Sequence, residues 1–342
     1  MNVWLLDEGT PGHTVQTKGI GGLLESKILA RTNWIDVRLK LRGWQRPIAR
    51  LLVGKVCRKG SALKLAHILY PGLVLPEEKP DLIISSCGKS AYLNHLLSVA
   101  YGARSIFIGE RKPFPADWFD LILTPVSDGS KNELIMPIIE TGQSVEGALS
   151  AQKAFWPDGA PERCWTMLIG GASRTHPFKE SDWSELADAM NKLAGKYQFK
   201  WLLSTSRRTG KDAEEILKKG ISPEYIEQAV WWDEEPKRCL SAYLGAGERI
   251  FVTQDSLSMM SEGLAVGKRV ELVLPENWEM PEDSINGRYV RRLQGEELIG
   301  RTQIVDLAEY CPEGDGTVSL EEKKETFAKK LLSWVAGERV VQ

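Results

Sequence analysis

The sequence predicts an α/β protein of two domains with parallel sheets, and three observations predict it. Short, near-continuous apolar runs recur along the whole chain, the pattern of strands buried on both faces. Helix-like stretches alternate with them, as in layered α/β folds. The rhythm breaks once, between Gly142 and Arg163, in a Gly/Ala/Ser/Pro-rich stretch that reads as an interdomain linker. A chain of 342 residues has room for two domains at roughly 100–200 residues each.

In the first half, strands are expected at Val3–Leu6, Leu82–Ser85, Ser105–Ile108 and Leu121–Thr124. A helix is expected after the first strand, ending near Leu29. In the second half, strands are expected at Thr166–Ile169, Trp201–Ser204, Ala229–Trp232, Ile250–Thr253 and Val270–Leu274. Asp182, with Glu185 three residues on, reads as a helix cap ahead of Trp183, Leu186, Ala187, Met190, Leu193 and Ala194 at helical spacing. Ser319-x-x-Glu322 reads as the capping box of a last helix, with Leu320, Phe327, Leu331, Trp334 and Val335 on one face. The expected domains are then 1–145 and 160–318, followed by the helix at 319–342.

Composition sets limits on function. With 42% hydrophobic and 26% charged residues, the chain is an ordinary globular protein, not a disordered, collagenous or disulfide-stapled one. Its net charge of -2 gives no overall pull toward nucleic acid. Cys57, Cys87, Cys164, Cys239 and Cys311 are widely spaced and include no CxxC pair, as expected of reduced cysteines in the cytoplasm. The opening run Val3-Trp4-Leu5-Leu6 meets Asp7 and Glu8 too soon for a signal peptide. No uncharged apolar stretch approaches the roughly 18 residues of a membrane span.

One segment departs from the average. From Val37 to Pro76 there are nine basic side chains and no acidic one, so a chain of net charge -2 carries -11 elsewhere. The nine are Arg38, Lys40, Arg42, Arg46, Arg50, Lys55, Arg58, Lys59 and Lys64, interleaved with Trp44, Ile48, Leu51, Leu52 and Ile68. This mixture suits an anionic membrane surface. It also suits RNA or an acidic partner, or simply a solvated basic face beside a core helix. The membrane surface is the partner expected here, with no nucleic acid.

Chemistry is expected where strands end, because open α/β sheets bind ligands beyond the carboxyl ends of their strands. After the first strand comes Asp7-Glu8-Gly9-Thr10-Pro11-Gly12-His13-Thr14-Val15-Gln16. His13 falls at a helix N-terminus, where the dipole disfavours imidazolium and keeps the ring neutral, as a general base must be. The bland alternative is a histidine that ties the loop by a hydrogen bond. Ser206-Arg207-Arg208-Thr209 follows a strand and precedes a helix, a phosphate-shaped turn or else a loop of solvated charges. Asp255-Ser256-Leu257-Ser258 could offer hydroxyls and N–H groups to a diphosphate, with Glu262 in reach of ribose hydroxyls. A plain helix cap at Asp255 or Ser256 explains part of this turn without a ligand. Gly170-Gly171-Ala172-Ser173 permits close backbone approach to a ligand. In Ser85-Ser86-Cys87-Gly88-Lys89 the cysteine reads as a small packing residue, since no partner base is evident.

No phosphate-binding Walker loop, GxGxxG or GxSxG elbow is present. No metal site is expected, because His13, His67, His95 and His176 are isolated.

Four stretches together resemble the mitochondrial-fission ELM family. They are Gly12-His13…Gln16, Pro80-Asp81-Leu82-Ile83-Ile84, Ser206-Arg207-Arg208-Thr209 and Val252-Thr253-x-Asp255-Ser256…Ser261-Glu262…Gly267-Lys268. That family includes a plant organelle-division protein and bacterial relatives regarded as glycosyltransferases. It is similar in layout to GT-B glycosyltransferases, among them the enzyme that adds N-acetylglucosamine to the lipid-linked peptidoglycan precursor. The resemblance implies two Rossmann-like domains facing across a cleft, with a C-terminal helix crossing back to the N-terminal domain. It implies an acceptor on the first domain, near Gly12, Gln16, Ser86 and Lys89, and a nucleotide-sugar on the second. Donor contacts would come from Gly170, Gly171, Ser173, Ser206, Arg207, Arg208, Asp255, Ser256, Ser258 and Glu262. Glu262 matches the carboxylate that binds the donor ribose, and His13 matches a histidine of the glycine-rich first loop. Two departures stand out: the first loop has fewer glycines, and Asp255-Ser256 replaces the Ser-Gly or Gly-Gly of wider relatives.

The expected function is an inverting, metal-independent glycosyltransferase without a cofactor, using a nucleotide-diphosphate sugar. Its expected acceptor is a glycolipid at the inner face of the cytoplasmic membrane, with lipopolysaccharide or lipooligosaccharide core as the leading guess. The alternatives are a nucleotide-sugar epimerase, and a non-catalytic membrane scaffold of the fission-protein type.

Overall fold

The computed structural model describes residues 1–55, 59–171, 178–276, 278, 280–281 and 283–338. The chain forms two compact units. The first comprises Met1–Gly142 and Glu321–Gln342, and the second Gln143–Leu320.

The first unit contains β1 (Asn2–Asp7), α1 (Pro11–Ile28), β2 (Arg31–Asp36), α2 (Arg46–Gly54), α3 (Lys59–Leu69), β3 (Leu82–Ser86), α4 (Ala91–Tyr101), β4 (Arg104–Ile108), β5 (Leu121–Thr124) and β6 (Glu133–Ile135). The second contains α5 (Val145–Phe155), β7 (Cys164–Leu168), α6 (Glu180–Tyr197), β8 (Lys200–Ser204), α7 (Lys211–Gly220), β9 (Ile226–Val230), α8 (Leu240–Ala246), β10 (Ile250–Thr253), α9 (Leu257–Ala265), β11 (Val270–Leu274), α10 (Ile285–Gly295) and β12 (Ile299–Gln303). The last helix, α11 (Glu321–Val335), returns to the first unit.

Each unit is a six-stranded sheet whose paired strands all run parallel, so both are Rossmann-like. The first sheet has the order β2-β1-β3-β4-β5-β6, and the second β12-β11-β10-β7-β8-β9. Strand order reverses between β1 and β3 in the first sheet and between β7 and β10 in the second. At such a reversal, successive crossovers go to opposite faces and leave a crevice at the strands' carboxyl ends.

Burial explains which strands the apolar runs reveal. β3, β5, β7, β10 and β11 are buried at every position, since helices cover both faces. The edge strands β2, β6 and β12 mix exposed or half-buried positions with few buried ones. They carry no continuous apolar run and were not expected from one. The fourth edge strand, β9, begins three residues before the expected Ala229.

Three other expectations are corrected. The stretch 142–163 is not a bare linker, because α5 lies within it, capped by Ser144, whose Oγ accepts from Gly147 N at 3.0 Å. Its small residues allow a close crossing with α8, where a Cβ on Gly245 would lie 2.6 Å from the Ala148 carbonyl. Helix α6 starts at Glu180, so Asp182 sits inside its first turn and accepts from Lys179 N at 2.7 Å instead of being the cap itself. Helix α11 starts at Glu321, two residues after Ser319.

As expected, the last helix joins the first domain. Phe327 and Leu331 enter the core formed by Val3, Leu5, Leu24, Ile106 and Leu121. Arg104 fixes the far end of this helix: its guanidinium donates to the Trp334 and Val335 carbonyls at 2.7 and 3.1 Å and stacks 3.6 Å above the Trp334 ring. These are the carbonyls a helix leaves unpaired at its C-terminus, and a cation there is favourable. Among the described residues, no helix is long and apolar enough to cross a membrane.

Candidate functional site

In the second unit, three of the expected turns meet at the strand reversal. They follow β7, β8 and β10, which are neighbours in the sheet. Asp255 holds them together. Its side chain is fully buried and receives Thr253 Oγ1 at 2.7 Å, Gly171 N at 3.0 Å and the Arg208 guanidinium at 2.8 Å. Burial pushes the Asp255 carboxyl above its ordinary range, against the opposing pull of Thr253, Arg208 and Gly171. The Gly170 carbonyl accepts from Ser206 Oγ and, at 2.6 Å, from Thr209 Oγ1. Gly170 N donates to Thr253 Oγ1 at 2.7 Å.

Both glycines are required sterically. A Cβ on Gly170 would lie 2.1 Å from Asp255 Oδ2, and one on Gly171 would lie 2.1 Å from the Arg208 carbonyl. Gly171 also has a φ of +145°, which side chains disfavour. Ser173, expected beside them, lies outside the described residues.

The expected donor residues therefore divide into two groups. Gly170, Gly171, Ser206, Arg208 and Asp255 are tied to one another and shape the turns. Ser256 is buried at the start of α9 and forms no side-chain cap bond. Arg207 and Ser258 are exposed, and Arg207 has no ion pair among the described residues. Glu262 is half-buried on α9, and burial alone raises its carboxyl from 4.5 to about 7. Gln254, the residue after β10, is fully buried; its Oε1 accepts from Arg301 Nε at 3.0 Å while its Nε2 has no partner.

In the first unit, the loops after β1 and β3 meet at the other strand reversal. His13 Nδ1 lies 2.7 Å from Glu8 Oε1, and the Glu8 side chain is 4% exposed. Glu8 Oε2 accepts from Lys89 N at 3.2 Å. The neighbouring Cys87 and then Glu8 outweigh burial and raise His13 from 6.5 to about 10. Burial pushes Glu8 up, but His13, Thr10 and Lys89 bring it net below its ordinary value.

The expectation of a neutral imidazole is thus overturned. A helix terminus contributes about 0.3–1 kcal/mol. That is less than one pKa unit, about 1.4 kcal/mol, and two specific partners outweigh it.

The other acceptor-side residues fare differently. Ser86 is buried and pairs with Thr17 Oγ1 at 2.8 Å, which joins β3 to α1 and turns it away from solvent. Gly12 is exposed, and a Cβ there would meet nothing within 4 Å. Gln16 is half-buried on α1, and Lys89 is exposed. Glu8 lies in the stretch expected to carry chemistry, but the sequence assigns it no role. It precedes the helix, so no periodicity links it to His13.

The basic segment folds as two short helices on this unit. Helix α2 buries Ala49 and Val53 and exposes Ile48, Leu51 and Leu52, while Trp44 just before it is 67% exposed. Arg42, Arg46, Lys55, Lys59 and Lys64 are exposed around this apolar face, and α3 adds Ile68. Arg58 and Cys57 lie outside the described residues. Among the described residues, no three His, Cys, Asp or Glu side chains are grouped to hold a metal ion.

A family model described as Mitochondrial fission ELM1 matches residues 11–313. Among curated proteins, none matches. Several solved structures share the fold at low identity. A provisionally assigned UDP-N-acetylglucosamine 2-epimerase from Listeria monocytogenes is 11% identical with a TM-score of 0.61, covering 98% of this chain and 96% of that one. A UDP-GlcNAc 2-epimerase from Methanocaldococcus jannaschii is 11% identical with a TM-score of 0.56, covering 98% and 100%. The UDP-GlcNAc 2-epimerase from Neisseria meningitidis, bound to UDP-GlcNAc, is 12% identical with a TM-score of 0.51, covering 99% and 100%. At these identities the likeness is one of fold, two Rossmann-like domains of the GT-B type.

The Glu262 carboxyl yields a prediction. Because its pKa rises from 4.5 to about 7, the folded protein holds this proton more tightly than the unfolded chain. The resulting loss of stability is absent below 4.5, grows from there to about 7 and is constant above. Glu262→Gln removes it, so the variant should be more stable than wild type above neutrality, by on the order of 2 kcal/mol, and equal to it in acid. Urea unfolding at both pH values checks this; an equal gain at both would mean that the carboxyl does not carry the shift.

Proposed function

The chain belongs to the Mitochondrial fission ELM1 family, and we propose that it is a glycosyltransferase that takes a nucleotide-diphosphate sugar as donor and a membrane glycolipid as acceptor. One observation carries this reading. The second unit's strand reversal is a preformed turn cluster whose remaining open groups are Arg207, Ser258 and Glu262. A guanidinium and a hydroxyl suit a diphosphate, and a carboxyl without a counter-charge suits ribose hydroxyls. The fold neighbours point the same way, since one of them is described as bound to UDP-GlcNAc.

In this mechanism the acceptor hydroxyl attacks the anomeric carbon from the face opposite the diphosphate, and configuration inverts. Arg207 and the N–H groups at the start of α7 and α9 take up the charge on the leaving diphosphate, a task that needs no metal ion. His13 takes the hydroxyl proton, and Glu8 stabilises the imidazolium that results. Gly12 leaves room for the acceptor beside it. The apolar, basic face of α2 holds the protein at the inner surface of the cytoplasmic membrane, where a lipopolysaccharide core acceptor is made.

Three experiments test this reading. A nucleotide at a hundred times its Kd stabilises a protein by about 2.7 kcal/mol. One of UDP, GDP, ADP or CMP, or a sugar conjugate, should therefore raise the unfolding temperature, and Arg207→Ala should abolish the rise. If none does so, the donor site is wrong; conversion of free UDP-GlcNAc with no acceptor present would favour the epimerase reading instead. If His13 is the base, its raised pKa means that the unprotonated fraction grows about tenfold per pH unit toward about 10. Transfer should rise likewise and fall in His13→Ala; a flat profile removes His13 from that role. Finally, the protein should sediment with vesicles containing phosphatidylglycerol but not with neutral ones, and Leu51→Asp with Leu52→Asp should release it. Equal recovery with both vesicle types would rule out the charged-surface reading.

A further inference from the structure

Strand β11 reads Val-Glu-Leu-Val-Leu, and its one charged residue, Glu271, is 8% exposed. A carboxylate is seldom buried so deeply unless a cation pairs with it. Glu271 has no ion pair among the described residues: its Oε1 accepts from Thr302 Oγ1 at 2.5 Å, and its Oε2 has no partner. Burial pushes the carboxyl above its ordinary range against the pull of Thr302 and Arg269, and nearby Glu313 adds to the rise. The neighbouring strand makes room for this group. Gly300 of β12 lies opposite Glu271 in register, and a Cβ there would lie 1.9 Å from Oε2.

Glu271 borders a cavity of about 610 Å³ along this edge of the sheet, lined also by Asp306, Glu309, Tyr310, Cys311 and Glu313. That volume is in the range of small-molecule sites. Charge within it is not balanced. Glu309 pairs with Lys196 at 3.6 Å and Glu313 with Arg269 at 3.0 Å. Asp306 is exposed and has no ion pair among the described residues. Arg301 also borders the cavity, but successive residues of a strand point to opposite faces. Its side chain therefore leaves from the face away from Thr302 and Glu271, where Nε donates to Gln254. Two carboxylates of one cavity, one buried and one exposed, are left without a counter-charge. They do not form a metal site, since no three such ligands are grouped among the described residues.

We propose that this cavity binds an aliphatic diamine, with one ammonium group on Glu271 Oε2, the other at Asp306, and the methylene chain against Tyr310. The site is separate from the donor turns, which follow β7, β8 and β10 and not β11 or β12.

The probe is 1,4-diaminobutane, titrated calorimetrically into the full chain at constant ionic strength. It should bind one per chain, whereas 1,4-butanediol and magnesium chloride at the same concentration should not bind. Glu271→Gln keeps the shape of the side chain and removes its charge. It should weaken binding by about tenfold or more, the usual contribution of a hydrogen bond to a charged group. Any nucleotide-induced rise in unfolding temperature should persist in this variant, so the two readings fail separately. Cys311, free and exposed on the cavity wall, locates the diamine in the wild-type protein. At ten times its dissociation constant the diamine should slow alkylation of Cys311 by iodoacetamide about tenfold. Absence of binding, equal binding of magnesium, an unchanged affinity in Glu271→Gln or an unchanged Cys311 rate would each overturn the proposal.

Discussion

A parallel strand hands the chain to its crossover at the carboxyl end, so every connecting loop of a parallel sheet begins on the same edge. Two adjacent loops diverge only where the strand order reverses. This constraint decides where chemistry can gather in each unit. The loops after β1 and β3 bring Glu8, His13 and Lys89 together, and those after β7, β8 and β10 bring Gly171, Arg208 and Asp255 together. Neither cluster is local in sequence. Each exists because two strands of opposite crossover direction lie side by side.

The two clusters treat charge differently. Asp255 is fully buried, and its charge is compensated from three loops at once. Removing one partner from such a buried carboxylate costs more than the pair contributes, because the remaining charge has nowhere to go. That asymmetry makes the Asp255 network a scaffold, with its neighbours Arg207 and Glu262 left available. In the first unit the Glu8 carboxylate is nearly buried, yet its partner His13 is partly open. There the compensated charge reaches the surface through an ionisable ring.

Much of the fold was legible because helices cover both faces of the inner strands. Strands such as β3, β7, β10 and β11 are buried throughout and so mostly apolar, and such runs are visible in a sequence. Edge strands obey no such rule. β2 reads Arg-Thr-Asn-Trp-Ile-Asp and β12 Ile-Gly-Arg-Thr-Gln, and neither differs from loop by hydropathy. The turns of the second unit were legible from their glycines, hydroxyls and arginines. The division of labour between Arg207 and Arg208 was not, because adjacent identical residues differ only in which way the turn faces them.

The return of α11 bears on how the molecule is made. Phe327 and Leu331 complete the core of a unit whose first strand begins at Asn2, while residues 143–320 form the other unit in between. The second unit is therefore an insertion in the first. On the ribosome its residues have all emerged before the helix that seals the earlier unit exists, and domains fold as units when their chain is available. The unit that is begun first is closed last, and until then the apolar surface of its sheet beneath α11 awaits the final segment of the chain.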